Sequence, residues 1–255
     1  MVILLSLPAV SRERRPSRAV RRTTACVAAL LLLFLFSAQA AAGDIVHAVH
    51  TDLKMEIPES PRLGFIRPSI EIYQVSAGGV SEKMQDWCDT ACANVRVAVE
   101  EVFGEGIKII PMEQFESGSS LSEEMMEMDG LYDTVTRTIS NTWAGPLPFP
   151  KKYRRFDYSL GKLDEIFDAL GVDALIFVSG YDQVKTGGRQ AFEFVAFLAA
   201  GAVYSKATYL DVGLVGRSGK LLWYKLMGSL PQTDLRDPEG ARAYVDRAFE
   251  GFPLK

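Results

Sequence analysis

This 255-residue sequence contains two histidines, and their spacing could suit a pair of metal ligands. His47 and His50 lie three positions apart, and Asp44 and Asp52 flank them. Imidazole and carboxylate groups are ligands for zinc and copper, so these histidines are weak candidates for a metal site. A histidine-dependent hydrolase would need one of them to fold back onto the rest of the chain.

Asp182 and Asp211 are the best candidates for a pair of catalytic carboxyl groups. Asp211 lies on the predicted strand of residues 206–215, and Asp182 lies four residues beyond the predicted strand of residues 174–178, which could be its neighbour. Two carboxyl groups in different environments can serve as general acid and general base. Asp164, Glu165 and Asp168 instead have the spacing of a solvated helix face. The sequence contains no nucleophile elbow, P-loop or zinc-protease motif. It therefore favours a protein without catalytic activity and indicates no cofactor.

Cys88 and Cys92 are four residues apart, which places them on one face of a predicted helix. An oxidising compartment would permit a disulfide between them. At this spacing the Cα atoms lie near the upper end of the bridgeable range, so the bond would be strained. The sequence leaves a disulfide open and favours two buried thiols.

The segment from Ala191 to Tyr204 is apolar nearly all round, although it joins two predicted strands. It is too short to span a bilayer as a helix. Three interpretations stay open: a helix buried against the domain, a contact with a partner or sister subunit, and a contact with a membrane surface. The residues that would make such a contact are Phe192, Phe194, Phe197, Leu198 and Val203.

The elements that would position these residues follow from hydrophobic periodicity. Predicted strands cover residues 69–75, 107–112, 174–178, 206–215 and 220–230, and predicted helices cover residues 81–103, 119–143, 160–170 and 237–249. The order β-α-β-α-α-β-β-β-α predicts a single α/β domain over residues 69–255, with one mixed sheet of about five strands flanked by helices. Residues 43–68 are predicted to form an extended N-terminal arm, because three prolines interrupt any helix there.

The first 42 residues have the layout of a signal peptide. Six arginines between positions 12 and 22 precede an apolar run from Cys26 to Phe36, and small residues follow. We expect cleavage after Ala40 or Ala42 and a periplasmic location. The alternative is an uncleaved anchor, although the apolar run is shorter than the ~20 residues of a spanning helix. Cys26 begins the run rather than ending it, so the sequence does not predict a lipoprotein.

The net charge limits the classes of partner. The whole chain carries −4, and removal of residues 1–40, which contain six arginines and one glutamate, takes the charge to −9. Such an acidic chain does not offer the basic face that nucleic acid requires. We therefore expect no nucleic-acid partner.

Two passages resemble a group of bacterial envelope proteins. Residues 170–178, Leu-Gly-Val-Asp-Ala-Leu-Ile-Phe-Val, resemble the group's passage from helix to strand. Residues 211–215 and 219–223 resemble its strand, turn and second strand with a G-x-x-x-W pattern. The group comprises the curli-secretion lipoprotein family, outer-membrane activators of peptidoglycan synthases and the TolB amino-terminal domain. Many members carry a lipid-attachment cysteine that this chain lacks.

The resemblance implies a non-enzymatic periplasmic domain that binds other proteins, sometimes as an oligomer, and it brings no catalytic residues. The expected function is that of an adaptor or assembly factor, whose partner is an envelope protein or a second copy. The alternatives are a carboxylate-dependent enzyme using Asp182 and Asp211, and metal binding by His47 and His50.

Overall fold

The computed structural model describes residues 44–104, 107–110, 118–144, 155–200, 208–228 and 234–254. Together they form a mixed eight-stranded sheet that is covered by helices on both faces. The predicted α/β class is confirmed, and the sheet is larger than the predicted five strands. The predicted signal peptide, residues 1–42, lies outside the described residues.

The sheet has the strand order β1-β8-β7-β6-β2-β5, and β3 continues beside β6 with β4 at its outer edge. Its strands are β1 (Asp44–Val49), β2 (Leu63–Ile66), β3 (Ser69–Val75), β4 (Ser81–Lys83), β5 (Ile107–Ile110), β6 (Ala174–Lys185), β7 (Thr208–Gly216) and β8 (Leu221–Gly228). The first part of β6 pairs with β2 and its second part with β3, both in parallel. The pairs β6–β7 and β7–β8 are antiparallel.

Two helices cover each face of the sheet. The helices are α1 (Leu53–Glu56), α2 (Gln85–Phe103), α3 (Ser120–Ile139), α4 (Asp164–Leu170), α5 (Gly187–Ala200) and α6 (Pro238–Ala248), and a π-helical turn, Ser140–Ala144, extends α3. Helices α2 and α6 pack on one face, and α3 and α4 on the other. Side chains of Ser119 and Asp237 accept hydrogen bonds from backbone N–H groups in the first turns of α3 and α6. These caps fix where both helices begin.

Residues 44–49 and 63–66 are strands of the sheet and Leu53–Glu56 form α1, so the prediction of an extended arm over residues 43–68 is wrong. Strand β1 pairs with β8, and β2 lies between β5 and β6. The side chains of Val46, Ala48 and Phe65 are buried in the core. Each strand is so short that its apolar residues show no clear period, while the prolines lie in the connections between strands.

Two predicted boundaries also differ. Helix α4 begins at Asp164 rather than near Leu160, because Gly161 has a φ of +88°, which lies outside the helical region. Ser159, which precedes the predicted start, forms a β-bridge to Lys220 instead. Strand β6 runs to Lys185, well past the predicted end at residue 178, because β3 pairs with its second half.

Candidate functional site

Asp182 and Asp211 lie on neighbouring strands but on opposite faces of the sheet. In the β6–β7 ladder, Asp182 pairs with Thr208 and Asp211 pairs with Ser179. Thr208 is three residues from Asp211, and an odd offset along a strand turns the side chain to the other face. On the face of the sheet opposite to Asp211, Thr208 Oγ1 donates a hydrogen bond of 2.5 Å to Asp182. The prediction that the two carboxyl groups form one acid–base pair is therefore wrong.

Asp211 is instead the centre of a buried network of hydrogen bonds beneath α3. Tyr132 Oη donates to Asp211 Oδ1 over 2.7 Å, and Ser179 Oγ donates to Oδ2 over 2.5 Å. Burial raises the pKa of the Asp211 carboxyl to about 7, although both hydrogen bonds favour the ionised form. A carboxyl group in this state can exchange its proton near neutral pH.

Gly213 allows Tyr132 to reach Asp211. A Cβ atom at this position would lie 2.6 Å from the Tyr132 ring, which is shorter than any normal contact. Tyr132 therefore lies flat against the sheet and stacks on Phe177, with ring centroids 4.4 Å apart. The packing of this ring fixes the direction of its hydroxyl group towards Asp211.

A cleft of about 610 Å³ lies beside this network, between the sheet and the second half of α3. Asp211, Ser179, Tyr181 and Tyr209 line it on the sheet side. The rings of Tyr73, Tyr181 and Tyr209 form a row across β3, β6 and β7, with centroids 5.3 and 5.4 Å apart. Tyr209 is 42% exposed, so part of this row faces solvent. The cleft therefore combines aromatic rings with a buried ionisable group.

The histidines do not form a metal site. His47 Nε2 accepts a hydrogen bond of 3.1 Å from Trp223 Nε1, and His50 Nδ1 accepts one of 3.0 Å from the backbone N–H of Asp52. Among the described residues, no group of three His, Cys, Asp or Glu side chains could hold a metal ion. One nitrogen of each ring, His47 Nε2 and His50 Nδ1, is therefore already occupied as an acceptor within the fold, which gives no support to the two histidines as metal ligands.

Cys88 and Cys92 are buried free thiols in α2. The Cys88 sulfur accepts a hydrogen bond from the backbone N–H of Ile72, and the Cys92 thiol donates to the carbonyl of Pro68. Burial raises the pKa of the Cys92 thiol. The favoured interpretation, two packed thiols, is what the structure contains, and the alternative of a disulfide between them is wrong here.

The described part of the apolar segment, residues 191–200, lies in α5, and several of its large side chains are exposed. Phe192, Phe194, Val195 and Leu198 are 51%, 63%, 61% and 67% exposed. The interpretation as a helix buried against the domain is therefore wrong for these four side chains. Phe197 lies in the same helix, and Val203 lies outside the described residues. In the described parts of the chain, no helix is long and apolar enough to cross a membrane.

The exposed side chains of α5 follow helical spacing. Ala191, Phe194, Val195 and Leu198 occupy positions i, i+3, i+4 and i+7, which places them on one side of the helix. We call these four residues together with Phe192 the α5 face. This arrangement is typical of a helix that packs against another element.

Ion pairs hold the polar side of α5 against the end of β6. Glu193 accepts hydrogen bonds from Lys185 over 2.7 Å and from Arg189 over 2.8 Å, and all three side chains are mostly buried. The Arg189 guanidinium also lies 5.5 Å from the centre of the Phe192 ring. Both cations thus share one carboxylate within the fold, and none of the five side chains of the α5 face carries a charge.

No motif or spacing in the sequence marks Tyr132, Ser179 or Gly213 as residues of this site. Tyr132 and Asp211 are 79 positions apart, and only the packing of α3 on the sheet brings them together. Tyr132 lies within the predicted helix of residues 119–143, but helical periodicity cannot indicate the partner of its hydroxyl group.

No protein-family model matches the chain, and a search of curated proteins also found no match. Among solved structures, the chain is similar to PelC from Paraburkholderia phytofirmans, described as a dodecamer. One PelC structure gives a TM-score of 0.35 at 10% identity, covering 82% of this chain and 94% of PelC. A point variant gives 0.34 at 10% identity, covering 78% and 92%. Similarity at this level carries no inference about activity or assembly.

Proposed function

We propose that this protein is a non-catalytic adaptor or assembly factor of the bacterial envelope, which acts through protein–protein contacts made by the α5 face. The observation that carries the proposal is the exposure of four large apolar side chains on one 14-residue helix. Contiguous apolar surface of this kind is typical of interaction sites. The proposal includes export to the periplasm by the signal peptide expected in residues 1–42.

A protein surface fits the α5 face better than a lipid surface does. Helices that lie on membranes combine an apolar side with unpaired lysines and arginines that attract anionic lipids. Lys185 and Arg189 are instead paired with Glu193. Because both cations are held by Glu193, the helix keeps the apolar contribution to membrane binding and has only a small electrostatic one.

The energy available from the α5 face indicates a contact of moderate strength. Completing the burial of one such side chain contributes about 1–2 kcal/mol, so four contribute roughly 4–8 kcal/mol. Association itself costs several kcal/mol in lost translational and rotational freedom. A stable complex therefore requires further contacts beyond these four side chains, or several copies that bind together.

The passages that resemble envelope proteins support the same function. Residues 170–178 run from the end of α4 into β6, and residues 211–223 cover most of the β7–β8 hairpin. These are the helix-to-strand and strand-turn-strand elements that the resemblance assigns to them. The partner we propose is an envelope protein or a second copy of this chain.

Cross-linking in intact cells tests the proposal. A photo-reactive amino acid is placed at Leu198, and the captured proteins are identified by mass spectrometry. The matched control carries the same group at Met126, an exposed residue of α3 with 64% exposure against 67% for Leu198. We expect a specific envelope protein, or a second copy, to be captured from Leu198 alone. Equal capture from both positions, or a strictly monomeric protein with no captured partner, contradicts the proposal.

A further inference from the structure

The cleft beside Asp211 has an excess of carboxyl groups over cations. Among the described residues that line it, Glu71, Asp129, Asp133 and Asp211 carry carboxyl groups, and Arg137 carries the one positive charge. Arg137 is paired with Asp133 within α3, where Nη2 lies 2.9 Å from Oδ2. Asp211 receives hydrogen bonds from hydroxyl groups alone. The deepest acid of the cleft therefore has no cationic partner among these lining residues.

The geometry of the Asp211 carboxyl leaves room for one more partner. Each oxygen accepts one hydrogen bond, and a carboxylate can accept about four. Because Tyr132 and Ser179 hold it from two sides, the group is fixed in orientation. An additional donor would approach from the cleft, which Asp211 borders.

The aromatic rings around the cleft define the chemical class of that donor. Tyr181, Tyr209 and Tyr224 line the cleft together with Asp211. Tyrosine rings attract alkylammonium groups through their negative faces, and desolvation in a cleft strengthens this attraction. A metal ion would need several converging ligands, and no such group exists among the described residues. Carboxylate and aromatic rings together fit an organic cation.

We propose that this cleft binds a small organic cation through its ammonium group, with Asp211 as the counter-ion and the neighbouring tyrosine rings as the surrounding surface. The site is separate from the α5 face, so it goes beyond the proposed adaptor function and adds a ligand to it.

Binding at this site is coupled to the release of a proton. Burial raises the pKa of Asp211 to about 7, so this carboxyl is mostly neutral at pH 6 and mostly ionised at pH 8. A cation that pairs with the carboxylate displaces the proton, and its affinity rises about tenfold between these pH values. The other charged or titratable groups that line the cleft or face Asp211 are Glu71, which Lys83 pairs with over 2.7 Å, and Asp129, Tyr132, Asp133, Arg137, Tyr181, Tyr209 and Tyr224.

The experiment is a calorimetric titration of the purified chain with choline and with putrescine at pH 6 and pH 8. Two buffers with different ionisation enthalpies give the number of protons released. We expect binding of at least one cation, release of nearly one proton at pH 6 and of about a tenth of a proton at pH 8. The uncharged isostere of choline, 3,3-dimethyl-1-butanol, should bind at least tenfold more weakly at pH 8.

Asp211→Asn is the decisive variant, and its fold is checked by circular dichroism and by the retained capture from Leu198. It should bind the cation at least tenfold more weakly at pH 8 and release no proton. If it does not keep its fold, Ser179→Ala is used instead: it removes a hydrogen bond that favours the carboxylate, raises the pKa of Asp211 further, and should increase the proton release at pH 8. The proposal is overturned if neither cation binds at about 10 mM, or if binding is independent of pH and of residue 211.

Discussion

Replacing Asp211 by Asn should remove a specific part of the pH dependence of folding stability. The pKa of this carboxyl is about 7 in the folded protein against 3.8 in the unfolded chain. The folded state therefore binds the proton more tightly. The stability that results is fully present below about pH 4 and is lost as the pH rises through 7. About three pKa units correspond to roughly 4 kcal/mol in total, of which roughly 2–3 kcal/mol is lost between pH 5 and pH 8.

The assay is urea unfolding followed by tryptophan fluorescence at pH 5, 6, 7 and 8. Between pH 5 and pH 8, the free energy of unfolding of the wild type should fall by roughly 2–3 kcal/mol more than that of Asp211→Asn, in which this contribution is absent. Asp173→Asn is the control, because hydrogen bonds from Arg62 hold the pKa of Asp173 at about 2, so this carboxylate is ionised throughout the window. This variant should keep the slope of the wild type. Parallel slopes in the wild type and Asp211→Asn would refute the burial argument.

Three further changes test the packing around the site. Gly213→Ala should lower the free energy of unfolding by about 1–3 kcal/mol, because the added Cβ atom would push Tyr132 from the sheet. An unchanged urea midpoint would contradict this prediction. Lys225→Met should lower the free energy of unfolding by about 3 kcal/mol in the same assay. The reason is that the buried ammonium group donates hydrogen bonds to carbonyls at the end of α6 and pairs with Asp44. A more stable variant would contradict this prediction. Asp237→Ala should lower the stability by about 1 kcal/mol, because it removes the side chain that caps α6. An unchanged midpoint of thermal unfolding would exclude this capping role.

The long helices and the central strands could be predicted from the sequence because their periods are clear. The predicted helix of residues 237–249 matches α6, and the predicted helix of residues 119–143 contains α3. The short strands β1 and β2 could not be predicted, since four to six residues give too little periodicity to distinguish a strand from a loop.

The candidate sites could be predicted only in part. Asp182 and Asp211 were assigned to neighbouring strands, but their faces depend on the register, which a shift of one residue would reverse. The exposure of α5 could not be predicted either. An apolar helical stripe has the same pattern in sequence whether the domain or a partner covers it.

The most direct test of the adaptor function compares capture by three forms of the protein in intact cells. The first is the wild type, the second carries Phe194→Ser and Leu198→Ser, and the third carries Met126→Ser. All three use the same lysine-directed cross-linker, with quantification by mass spectrometry. We expect the double variant to capture at least tenfold less of the partner, because roughly 1–2 kcal/mol of apolar contact is lost at each position. The Met126→Ser control should capture as much as the wild type. Equal capture by all three forms would contradict the proposal that the α5 face is the surface through which this protein acts.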